Sequence, residues 1–155
     1  MNKETQEALT QGLLAGYGGI SEFTTVNRGG FELKSSHFED GDLAYHDEWT
    51  KRGGQEIVGM GDKLWTRVYA GGVASETILS GLGITKEDVI GHLKSRIQEL
   101  GDKTRLCKNC FPDKQDEWGY QYEILDQDAT IATTTGKETI TYKDQTVFVH
   151  CFVIF

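Results

Sequence analysis

Leu43-Ala-Tyr-His-Asp-Glu-Trp-Thr50, Glu56-Ile-Val-Gly-Met60 and Leu64-Trp-Thr-Arg-Val-Tyr69 are three short runs rich in β-forming residues, separated by Arg52-Gly-Gly54 and Gly61-Asp-Lys63. Short runs joined by Gly/Asp breaks read as an antiparallel meander, because glycine and aspartate tolerate the positive-φ conformations of tight hairpins. Working back toward the N-terminus, Phe31–Lys34 reads as a further strand, and Glu39-Asp-Gly-Asp42 as the turn that follows it. A content of 19 glycines against one proline, Pro112, suits a fold with many tight turns.

Toward the C-terminus the period changes. Lys86 to Leu100 carries Ile90, Leu93, Ile97 and Leu100 on one stripe, with Thr85 and Asp88 spaced as a capping box and Gly101 placed to end the helix. Strands return at Tyr120–Leu125, Thr130–Thr134, Glu138–Tyr142 and Thr146–Phe155, after a charged loop from Asp102 to Gly119. The last run is apolar on both alternating faces, which predicts a central strand covered on both sides, with Cys151 buried. A second helix is expected over Lys3 to Ala15, ending at Gly16-Tyr-Gly-Gly19.

Gly54-Gln-Glu-Ile-Val with Lys63-Leu-Trp-Thr-Arg-Val-Tyr69 resembles Gly136-Lys-Glu-Thr-Ile with Gln145-Thr-Val-Phe-Val-His-Cys151. This weak repeat raises the reading of an α-β-β-β(β) unit used twice. The alternative is that Gly-x-Glu hairpins look alike without a common origin. The expectation is an α+β fold, one domain over residues 1–155, with an antiparallel sheet for which duplication is one of two readings, and two helices packed on it.

Composition narrows the function classes. The 155 residues carry a formal net charge of -8, a field that repels phosphate backbones and argues against nucleic acid. No segment has the ~20 apolar residues of a membrane helix, and the acidic start lacks a signal-peptide core. Three cysteines, an odd number, fit a reducing compartment, so a cytoplasmic protein is expected.

Strand alternation places Tyr45, Asp47 and Trp49 on one face, Glu56 with Val58 and Met60, Arg67 between Trp65 and Tyr69, Glu138 with Ile140 and Tyr142, and His150 between Phe148 and Phe152. Ionisable groups on apolar faces must pair or line a wet cavity. One reading is a pocket built from Tyr45, Asp47, Trp49, Glu56, Trp65, Arg67, Tyr69 and Glu138, suited to a small organic cation through charge pairing and cation–π attraction. The competing reading has Asp47 or Glu56 paired with Arg67 for structural reasons alone. Cys107-Lys-Asn-Cys110 is a single CxxC without the second ligand pair a zinc site needs, so no metal or cofactor is expected.

Gly41, Asp42, Tyr45, Asp47, Trp49, Gly54, Glu56, Trp65, Tyr69 and Gly71, followed by Tyr120, Tyr122, Gly136, Glu138 and Phe148, form a pattern of moderate specificity. Through it, residue 17 to the end resembles an uncharacterised, mostly bacterial domain family, some of whose members are described as helix-turn-helix regulators. This chain lacks a helix-turn-helix, and the family implies no activity that could be carried over. The leading expectation is a non-enzymatic, sensor-like binding or interaction domain. A small hydrolase or isomerase using Asp47 with Glu56 or Glu138 is the alternative, and a structural domain, such as a homodimer, the third.

Overall fold

The structure is a computed structural model and describes residues 10–15, 23–105 and 107–155, with Asp102 described only in its backbone. Among these residues eight strands form one antiparallel sheet: β1 (Thr24–Arg28), β2 (Phe31–Asp40), β3 (Leu43–Thr50), β4 (Gly53–Met60), β5 (Lys63–Val73), β6 (Trp118–Asp128), β7 (Thr133–Tyr142) and β8 (Gln145–Ile154). Their order across the sheet is β1-β2-β3-β4-β5-β8-β7-β6. Two meanders thus meet where β5 pairs with β8, with Tyr69 opposite Phe152. The α+β expectation with a dominant antiparallel sheet holds at this level.

Helices lie at residues 10–15 (α1), Glu76–Leu82 (α2) and Lys86–Leu100 (α3). Thr85 and Asp88 form the expected reciprocal cap: the Asp88 N–H donates to Thr85 Oγ1 at 3.2 Å, and the Thr85 N–H donates to Asp88 Oδ2 at 2.7 Å. α3 buries Val89, Leu93 and Ile97, and α1 buries Leu13. A Cβ on Gly12 would stand 2.6 Å from Cδ2 of Tyr45, so α1 lies directly against the β3 face that carries Tyr45. The helix expected over Lys3 to Ala15 is described only at residues 10–15; the rest of it, and the stop at Gly16–Gly19, lie outside the described residues.

Several boundaries differ from the sequence reading. β1 and α2 were not expected, and β2 runs on to Asp40, leaving Gly41 (φ 58°) and Asp42 as the hairpin turn. Thr130 and Ile131 lie in a turn instead of a strand, because β6 extends to Asp128 and β7 begins at Thr133. β8 is central in the sheet, but only one of its faces is covered: Cys151 and Val153 are exposed on the other. A register shift after Ile140 leaves Val147 as an extra residue, which turns Phe148, Phe152 and Ile154 inward and the small Cys151 outward. Antiparallel sheets tolerate one solvated face, so apolar character alone could not decide the matter.

Candidate functional site

The covered face of the sheet is crossed by two rows of register partners. Asp47, Glu56 and Arg67 stand opposite one another on β3, β4 and β5, while Tyr122, Glu138 and His150 do so on β6, β7 and β8. β5 pairs with β8 so that Arg67 stands opposite Ile154 and His150 opposite Gly71; the two rows run side by side, staggered, and Glu56 and Glu138 come within reach of the same cations. Arg67 donates through Nη1 to Glu56 Oε2 at 2.9 Å and through Nη2 to Glu138 Oε2 at 3.0 Å. All three side chains are at most 1% exposed.

A second guanidinium arrives from outside the sheet. α3 ends at Gly101, a 3₁₀ turn spans Gly101–Thr104, and Arg105 follows it into the core. Its Nε lies 2.9 Å from Glu56 Oε2, and its Nη1 lies 3.4 Å from Glu138 Oε1 and donates to the Thr104 carbonyl at 2.7 Å. Tyr45 donates to Glu56 Oε1 at 3.1 Å and Tyr120 donates to Glu138 Oε1 at 2.8 Å. Each glutamate is therefore held by two arginines and one phenol, the kind of satisfaction a buried carboxylate requires.

The protonation states follow. Burial pushes both glutamates toward the neutral form, but Arg105 and Arg67, joined at Glu138 by the His150 hydrogen bond, outweigh it, so Glu56 and Glu138 sit below the usual carboxylate range. Asp47 differs. Burial first, and the Glu56 charge second, push it up to about 8, against weaker opposition from the Tyr69 hydrogen bond and the arginines. It accepts from the Tyr69 hydroxyl at 3.0 Å and from no arginine among the described residues. Burial also keeps His150 below its ordinary range, although Glu138 Oε2 stands 3.7 Å from its Nδ1.

Above the network lies a cavity of about 590 Å³ between the sheet and α3. Asp47, Glu56, Arg67, Arg105, Glu138 and His150 line its floor, and Trp49, Tyr69, Phe148, Ile90 and Leu93 its walls. Of the eight residues expected in a pocket, Asp47, Trp49, Glu56, Arg67, Tyr69 and Glu138 line this one. Tyr45 does not; it lies beneath, bonded to Glu56. Trp65 packs in the core at 6% exposure, with its indole N–H unpartnered among the described residues. Parity placed His150 on this face. Arg105 escaped the sequence reading, because it sits in a charged loop whose periodicity carries no signal of burial.

The pairing expected of Arg67 is present, although with Glu56 and Glu138 and not Asp47. Cys107 and Cys110 belong to a different part of the fold: the Cys110 N–H donates to the Tyr122 carbonyl at 2.8 Å, so this loop covers the outer edge of β6. No group of three or more His, Cys, Asp or Glu among the described residues is arranged to hold a metal ion. No helix among them is long and apolar enough to cross a membrane.

Compared with known proteins, the chain matches no protein-family model, no curated protein and no solved structure.

Proposed function

We propose that this chain is a small-molecule-binding domain, whose ligand enters the cavity and pairs a protonated nitrogen with Asp47. One observation carries the reading. Glu56 and Glu138 are each held by both Arg67 and Arg105, whereas Asp47 lines the same cavity and, among the described residues, accepts from the Tyr69 hydroxyl alone. An incoming ammonium supplies a direct ion-pair partner for Asp47, and Trp49 lines the same cavity; the Tyr69 ring already carries the Arg67 guanidinium at 4.9 Å and packs on His150 at 4.7 Å. Binding then releases the Asp47 proton, since a nearby positive charge favours the carboxylate.

The test is calorimetry with benzylamine at pH 7 in buffers of different ionisation enthalpy. Proton release on binding, and loss of binding in Asp47→Asn, are the expected results. Binding that ignores Asp47→Asn would sink the proposal.

The resemblance to the uncharacterised bacterial domain family belongs to the same proposal. Asp47, Glu56, Tyr69, Tyr120 and Glu138 of its pattern all belong to the network, and Tyr122 stands beside Glu138 in the register. The duplication is likewise proposed. It is supported by matching register positions: Trp49, Gly54 and Tyr69 in the first meander correspond to Ile124, Gly136 and Phe152 in the second. In the same frame Tyr45, Glu56 and Trp65 correspond to Tyr120, Glu138 and Phe148.

A proton-transfer enzyme is the second reading. It is favoured by Asp47, pushed up to about 8, directly opposite Glu56, which is held low, because two carboxylates with separated pKa values can act as acid and base. Exchange of carbon-bound hydrogens of a bound amine into deuterium oxide, followed by NMR, would support it. Binding without exchange leaves the sensor-like reading.

A further inference from the structure

The mouth and the floor of the cavity carry different charge. The exposed residues that line it include Lys34, Lys51, Arg52 and Lys86 against two carboxylates, Glu32 and Glu76. On the floor three carboxylates face two guanidiniums, so the floor is acidic whenever Asp47 is ionised. Between them lie the apolar walls, Trp49, Ile90, Leu93 and Phe148. A simple amine would have to pass a basic rim to reach Asp47. A simple anion would be attracted to the rim, while below it Arg67 and Arg105 are already shared between Glu56 and Glu138.

We propose that the ligand is amphoteric: a protonated amine at one end pairs with Asp47, an apolar body lies along the walls, and an anionic group at the other end rests among Lys51, Arg52, Lys34 and Lys86. This rests on the amine-binding reading and adds the opposite end of the molecule to it. The Lys34 ammonium rests 4.3 Å over the Phe23 ring; each exposed rim cation contributes little alone, but the group acts on one bound charge together and is screened by salt. Lys51 and Arg52 sit at the β3–β4 hairpin, where the backbone carbonyl of Arg52 accepts from the Gly71 N–H at 2.9 Å, so their side chains can be changed without touching that bond.

Three ligands of one shape separate the contributions: para-aminomethylbenzoate, benzylamine and para-methylbenzoate, titrated calorimetrically into the full chain at low and high salt. The amphoteric ligand is expected to bind about tenfold tighter than benzylamine at low salt, a factor that ~1.4 kcal/mol supplies. That advantage should shrink at high salt, and the ratio of the two affinities should fall to about one in Lys51→Gln/Arg52→Gln, where benzylamine, relieved of two repelling rim cations, binds no more weakly than before. Asp47→Asn should weaken both amines. If benzylamine binds as tightly as para-aminomethylbenzoate, or the advantage survives the double substitution, the amphoteric inference falls and the amine site stands. If para-methylbenzoate binds best and ignores Asp47→Asn, the amine reading falls as well. Absence of binding by all three overturns both.

Discussion

Arg67 and Arg105 share the same two carboxylates, Glu56 and Glu138, although one arginine comes from the centre of the sheet and the other from the turn after α3. The four charges tie the first meander, the second meander and the connecting helix to a single point. Each guanidinium bridges two acids, so removal of either leaves both acids short of a partner.

Arg67→Met should therefore destabilise the fold by ~3–5 kcal/mol, the range for breaking a buried ion pair from one side, since each glutamate keeps its charge and loses a donor. Urea denaturation measures it. A change of less than ~1 kcal/mol, the scale of a surface ion pair, would mean that water or Arg105 replaces the missing guanidinium at little expense. Glu56→Gln is expected to destabilise as well, because both arginines and Tyr45 converge on that carboxylate.

Asp47 gives stability an unusual slope with pH. In the unfolded chain its proton leaves near ~4; in the fold it is held up to about 8. Between those values the folded state binds the extra proton, so this contribution is fully present below the unfolded value and is lost as pH rises through the window. Glu56 and Glu138 act in the opposite sense: their depressed values add stability at neutral pH that is lost on acidification. Asp47→Asn should flatten the decline from the acid side toward pH 8 and leave the acid limb alone. Parallel wild-type and Asp47→Asn curves would show that Asp47 is ionised throughout.

Leu93 lies on α3 at 2% exposure and also borders the cavity. Leu93→Ala should cost ~2–5 kcal/mol in urea unfolding, the usual result for truncating a buried leucine. It also widens the cavity, so bulkier amines should gain affinity over benzylamine. A variant as stable as wild type would mean that α3 does not depend on this contact.

Native thiol labelling should be fastest at Cys151, the exposed cysteine of the three. Cys107 and Cys110 are partly covered, and burial pushes the Cys110 thiol up, which lowers its thiolate fraction. Cys151→Ser is expected to abolish the fast phase. Persistence of that phase in Cys151→Ser would place the reactive thiol on the β6-edge loop.

Gly54 stands opposite Trp49 and Tyr69 in register, and an added Cβ there would lie 2.6 Å from the Tyr69 hydroxyl oxygen and 2.7 Å from Trp49 Cβ. Gly54→Ala should destabilise by ~1–3 kcal/mol, as overpacking does. It should also weaken amine binding by displacing the hydroxyl that orients Asp47. Unchanged binding would separate the glycine from the site.

Periodicity and capping pattern identified α3 with its Thr85–Asp88 cap, the β3–β4–β5 meander, and the placing of Asp47, Glu56, Arg67, Glu138 and His150 each on an apolar or aromatic face of its own strand. These are local properties: a period of two or of 3.6 fixes which side chains share a face, wherever that face goes. Which strand lies beside which is not local. The pairing of β5 with β8 brings Glu138 to Arg67 across a chain separation that no pattern records, and the turn after α3 delivers Arg105 from a segment without periodicity. Nor could alternation decide whether the second face of β8 was covered, because the shift at Val147 and the exposure of Cys151 are properties of the assembled sheet. The sequence by itself determined that charged groups would lie on a buried aromatic face. Only the tertiary structure decided that two glutamates would be satisfied by shared arginines while Asp47 was left facing a cavity, because charge compensation depends on distances between elements far apart in the chain.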